Sequence, residues 1–132
     1  MHLRRSLLPL LLTLVSSLAG ASCRAATIVV SRDGAIAVTP TAEGLSVVNH
    51  SAQPIYLMVI ERETTTLADW IPCRGGPTCI SQAPGAARLV PWNTVLGYAP
   101  NRPEYVVYWW SSAALPDGSL LPGPVERLSV TR

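Results

Sequence analysis

This sequence predicts an all-β fold, a small antiparallel two-sheet sandwich, and three observations carry that expectation. Short runs rich in Val, Ile, Tyr and Trp recur along the chain, with Gly, Pro, Asn and Asp turn signals every ~8–12 residues. Beyond the first residues no 3.6-residue apolar period survives, and prolines interrupt every window long enough for a helix. The final run, 125–131, alternates: Leu128 and Val130 inward, Arg127, Ser129 and Thr131 outward. A small β-barrel is the alternative closure of the same strands.

The chain has 132 residues and divides into a leader with its cleavage region, 1–26, and a single β-sandwich domain, 27–132. Arg4 and Arg5 precede the apolar run 7–15, and small residues follow from Ser16 to Ser22. That is the layout of a cleaved secretory signal peptide, and the run falls short of the ~18 residues a membrane span needs. Ala19-Gly20-Ala21 offers an A-x-A cut. Ala19 to Cys23 also resembles, loosely, a bacterial lipobox, with Gly20 where Leu is usual, so Cys23 is the candidate lipidated residue. If Cys73 pairs with Cys79, Cys23 is the odd cysteine, and a lipid or a later cut would each resolve the parity. The first strand begins near Thr27, which leaves a lipid anchor almost no tether.

All ten basic residues are Arg, and without Arg4 and Arg5 at most eight remain against eight carboxylates. A near-neutral exported chain with no basic stripe is a poor partner for nucleic acid. The expected setting is the periplasm or cell surface of a bacterium, or the medium around it.

Taken in order, Val29 and Val30 and then the run 35–38 flank Asp33-Gly34, as a hairpin or one bent edge strand that switches between the sheets. The run 45–49 follows, then the polar turn Asn49-His50-Ser51-Ala52-Gln53-Pro54. Ile55, Tyr56, Leu57, Met58, Val59 and Ile60 are apolar on both faces, as in a central strand. After the cysteine loop, Pro84-Gly85 turns into a short strand near Leu89, which Val95-Leu96-Gly97-Tyr98 continues. Tyr105 to Trp110 is the most β-prone stretch, and Leu115 to Ser119 turns again. The whole reads as immunoglobulin-like. The order from the strand into Asn-x-Ser-x-x-Pro, through an apolar strand and a long loop to Pro-Gly, is similar to many bacterial immunoglobulin-like modules, including the first domain of pilus chaperones. Its carriers, Asn49, Ser51, Pro54, Pro84 and Gly85, are turn chemistry shared by many folds and single out no family.

The stretch around which the rest is organised is Asp69 to Ile80. Cys73 and Cys79 bracket Arg74-Gly75-Gly76-Pro77-Thr78, a tight reversal that brings two sulfurs to bonding distance. An oxidising compartment favours a disulfide over free thiols, and no second ligand pair supports zinc. No cofactor and no metal are expected.

Catalytic chemistry has little to stand on. His50 is the one histidine beyond the leader, and its neighbour Ser51 sits in no Gly-x-Ser-x-Gly elbow. Glu61 and Glu63 share a strand face in a superficial likeness to a glycosidase pair, and read as a polar strand end. His50, Met58 and the two loop cysteines are one His short of a type 1 copper site. Asn49-His50-Ser51 fits a glycan acceptor and reads as turn residues. A small secreted hydrolase is the least supported reading.

The aromatics carry the functional expectation. A chain without Phe must build its bulky core from Trp70, Trp92, Trp109, Trp110 and four Tyr. Consecutive Trp109 and Trp110 point to opposite faces, so one lies in the core and the other on the outer sheet face. Trp70 beside the stapled loop and Arg74 at its tip complete the candidate binding set of Trp70, Arg74, Trp109 and Trp110. The expected function is a noncatalytic binding module whose partner is another envelope protein or a surface polysaccharide. The alternative is a structural subunit of an envelope or pilus-like assembly joined by edge-strand pairing, with 27–38 as the exchanged strand.

Overall fold

The computed structural model describes residues 26–75 and 79–132. The leader, its cleavage zone and Cys23 lie outside the described residues, as do Gly76, Pro77 and Thr78.

Two four-stranded antiparallel sheets face each other. The first holds, in neighbour order, β1 (Val29–Val30), β2 (Ile36–Pro40), β3 (Gly44–Asn49) and β6 (Ala87–Pro91). The second holds β10 (Glu126–Thr131), β7 (Glu104–Trp110), β4 (Ile55–Glu61) and β5 (Ser81–Gln82). A separate hairpin joins β8 (Ser112–Ala114) to β9 (Leu120–Pro122). Among the described residues no ladder links the two sheets, so the strands form a sandwich and not a closed barrel.

The core lies where period-two alternation puts it. Ile36, Val38, Leu45, Val47 and Val90 from the first sheet meet Ile55, Leu57, Val59, Tyr105, Val107, Trp109 and Val130 from the second. Leu128 and Val130 of β10 turn inward while Arg127, Ser129 and Thr131 stay exposed, as the alternation requires.

Of the two arrangements expected for the segment 27–38, the hairpin is the one formed: it lies within one sheet, with Val29 opposite Val38, and does not switch sheets. Gly34, at φ 73°, makes that turn, and the Asp33 carboxylate caps it by accepting from the Ser31 hydroxyl and the Ala35 N–H. The run 95–98 is not a strand. Pro91 ends β6, the turn Trp92–Thr94 is 3-10, and only Leu96 makes a parallel bridge, to Ile60. That bridge gives the edge of β4 hydrogen bonds where β5 stops short, through Leu96 N–H to the Val59 carbonyl and Glu61 N–H to the Leu96 carbonyl. Gly97 follows because a side chain there would run into Thr64.

Two polar knots tie the chain where it changes sheet. Asn49 is wholly buried. Its Oδ1 accepts from the Ser51 N–H and hydroxyl, and its Nδ2 donates to the carbonyls of Gln53 and Gln82. Gln82 in turn donates from Nε2 to the Val47 carbonyl, joining the second sheet to the first. At the far end of β4, buried Glu61 accepts from the N–H of Glu63 and Thr64, the Thr64 hydroxyl and Arg102. Burial alone would push its carboxyl up; these donors outweigh it and bring the pKa down to about 2.

Candidate functional site

The site begins with a property of β4 and β7. Their register pairs Tyr56 with Trp110, Met58 with Tyr108 and Ile60 with Val106. All six side chains alternate away from the inter-sheet core, onto the outer face of the second sheet. An apolar, aromatic outer face must be covered or remain wet. Ile60, Val106 and Trp110 are nonetheless buried, so this face has a roof.

Part of that roof is the stapled loop. It leaves the 3-10 turn Thr64–Thr66, where the Leu67 and Ala68 N–H groups donate to the Thr64 carbonyl. It returns to β4 where the Ile80 carbonyl accepts from the Leu57 N–H. Between these ends the half-buried Trp70 ring lies 5.0 Å from Tyr108 and 5.7 Å from Trp110. Trp110 Nε1 donates to the Cys73 carbonyl at 2.8 Å. Cys73 and Cys79 are joined in a disulfide, with Cα atoms 6.0 Å apart. Gly75, at φ 121°, lies against Tyr56 and Leu120, where an added Cβ would come within 3.4 Å of the Tyr56 hydroxyl and 3.2 Å of Leu120 Cδ1. The β8–β9 hairpin therefore buttresses the loop tip.

The four candidate residues separate on this geometry. Trp109 enters the inter-sheet core and is 6 % exposed. Trp110 reaches the outer face but is 3 % exposed, because the loop lies over it. Neither offers a ring to a partner. Trp70 spends one face on the sheet, and Arg74 is exposed.

Two residues not singled out from the sequence complete the outer surface. Leu67 is 86 % and Ile71 81 % exposed, on either side of Trp70. Their signal was present in Leu67-Ala68-Asp69-Trp70-Ile71-Pro72, where apolar residues stand without a strand period to bury them. Isolated exposed aliphatics are ordinary. Two in one short segment leading into the disulfide ring, with a Trp between them and a guanidinium three residues on, make a contact surface able to bury apolar area and place a fork of donors.

The residues considered for catalysis are used structurally. His50 is exposed in its turn, with its N–H on the Ala35 carbonyl. The Ser51 hydroxyl is shared between Asn49 Oδ1 and the Gln53 carbonyl. Glu61 is buried while Glu63 is exposed, and Arg102 bridges them at 2.7 and 3.3 Å. Among the described residues no group of three or more His, Cys, Asp or Glu is placed to hold a metal ion, and no helix is long and apolar enough to cross a membrane. Compared with protein-family models, curated proteins and solved structures, the chain finds no match.

Proposed function

We propose that this chain is an exported, noncatalytic interaction module of the bacterial envelope, and that the stapled loop is its contact surface. The observation that carries the reading is the exposure of Leu67 and Ile71 on a segment fixed to the sheet by a Trp110 hydrogen bond and a Trp70 ring contact, and leading directly into the disulfide ring. A loop ordered before contact loses less freedom on binding, which raises affinity per unit area. The partner is another envelope protein or a surface polysaccharide. Arg74 serves either, as a bidentate donor to carboxylates or a donor to sugar hydroxyls.

The scaffold we assign is immunoglobulin-like. Two observations support that assignment. In neighbour order, β2, β3 and β6 stand as strands A, B and E would, while β10, β7, β4 and β5 stand as G, F, C and a short C′. Tyr105, second residue of β7, donates its hydroxyl to the Arg102 carbonyl at 2.6 Å, the backward bond of a tyrosine corner. Export rests on the leader, with the mature chain beginning after Ala21 or at a lipidated Cys23.

The test is association with the isolated envelope fraction of the producing bacterium. Leu67→Ser with Ile71→Ser should abolish co-sedimentation while the melting temperature stays within a few degrees. Unchanged co-sedimentation of that double variant would refute the loop as the contact.

A further inference from the structure

The sandwich has one long edge that nothing among the described residues covers. β1 has two residues, β6 closes on Pro91, and the edge of β4 is satisfied by β5, Ile80 and Leu96. β10 has six residues, without proline or bulge, and pairs on one side only, with β7. The Arg132 N–H donates to the Pro103 carbonyl, so by antiparallel alternation Val130, Leu128 and Glu126 also turn their backbone groups toward β7. The N–H and C=O groups of Arg127, Ser129 and Thr131 therefore face outward. Natural edges of this length are blunted or paired.

What lies beside that edge is a groove of about 410–670 Å³ per section along β1 and β10. Ala26, Thr27 and Val29 line the larger section from the first sheet, and Ser129, Thr131 and Arg132 from the second. Ile28 and Val30, on the same border, are 62 % and 53 % exposed.

We propose that a second copy of this chain occupies the edge, with the two β10 strands antiparallel about Ser129. A two-fold axis perpendicular to the sheet preserves its faces, so only residues of like parity can stand opposite each other. Centring on Arg127 would oppose two guanidinium groups. Centring on Ser129 sets Arg127 opposite Thr131, Leu128 opposite Val130, and Glu126 opposite Arg132 of the second copy. The three outward residues of each copy then exchange about six backbone hydrogen bonds, and at each end Glu126 meets an exposed Arg132 whose guanidinium also lies over Trp92 and donates to the Tyr98 hydroxyl of its own chain. The product is one sheet continuous through both copies. The two β1 strands fall on the same face of the joined sheet, across the axis from each other. This interface is on a different border from the stapled loop and does not depend on it.

The test uses the full exported chain carrying Cys23→Ser. Analytical ultracentrifugation should show a concentration-dependent dimer. Glu126→Arg should weaken it about ten-fold, the scale of two opposed like-charge contacts, and Glu126→Arg with Arg132→Glu should restore it. Ser129→Cys, exposed and about 5.5 Å from its symmetry mate, should cross-link on mild oxidation. Thr131→Cys, about 14 Å from its own mate, should not. A strict monomer, a dimer in which Ser129→Cys fails to cross-link, or equal cross-linking of both variants would overturn the proposal.

Discussion

Trp110 Nε1 donates to the carbonyl of Cys73 at 2.8 Å, and that bond joins the end of β7, an inner strand of the second sheet, to the disulfide of the loop above it. A buried indole N–H needs an acceptor, and an otherwise solvated loop carbonyl supplies it. The loop is thereby part of the packed structure on its inner side and a free surface on its outer side.

Inner and outer substitutions should diverge. Trp70→Ala removes a ring packed on Tyr108 and Trp110 and should cost on the order of 2–3 kcal/mol, less than the ~3–5 of a fully buried Trp because Trp70 is half-buried. Arg74→Ala and Ile71→Ser should change stability by less than about 0.5 kcal/mol. Urea unfolding of the three variants checks this. Equal losses for all three would mean the outer side is also packed.

Opening the staple should loosen the loop without unfolding the sandwich. Cys73→Ser with Cys79→Ser should cost about 2–3 kcal/mol, the scale expected for so short a closed ring. Amide exchange should accelerate at Leu67 to Arg74 and stay slow in β4 and β7. Intact mass with and without reductant gives the companion result: the wild-type chain should gain two hydrogens.

Acid should release the turn after β4. The folded Glu61 carboxyl lies at about 2, against an ordinary value of 4.5. The fold therefore favours the ionised form, its contribution is complete above the ordinary value, and it is lost as the pH falls from there toward 2. A shift of that size corresponds to at most about 3 kcal/mol. Unfolding free energy followed from pH 6 to pH 2 should drop for the wild type, and Glu61→Gln should flatten the drop while lowering stability at pH 6.

Asn49→Ala should be among the most damaging polar changes. It removes four hydrogen bonds in a fully buried knot and leaves the Gln53 and Gln82 carbonyls with a lost donor. A loss of roughly 2–4 kcal/mol is expected by thermal or chemical unfolding. Asn49→Asp keeps the Ser51 contacts but not the donations, and should fall between the wild type and Asn49→Ala.

The strands of the core were legible because their residues obey a period. Ile36, Val38, Leu45, Val47, Val107 and Val130 occupy positions that alternation alone assigns. The apolar double face of residues 55–60 was legible too, but its cause was not. Sequence suggested a strand central to a stack, whereas its outer face is sheltered in part by a loop of Pro, Gly, Cys and Trp that carries no period. The β8–β9 hairpin escaped notice because Ser112, Ala113 and Ala114 have no β preference, and Val95 reads as strand although Pro91 and Gly97 confine its neighbourhood to a single bridge. At the site, Trp70 and Arg74 could be picked from composition and position. The burial of Trp110 and the exposure of Leu67 and Ile71 depend on where the loop lands, which is a long-range contact.

Site-specific cross-linking reads out contact at the stapled loop whatever the partner is. A photoreactive residue at position 71 is compared in the native envelope with one at Pro84, an exposed turn. A discrete adduct from position 71 and none from position 84 is the predicted result. No adduct from position 71, or the same adducts from both, would contradict the assignment of the stapled loop as the contact surface.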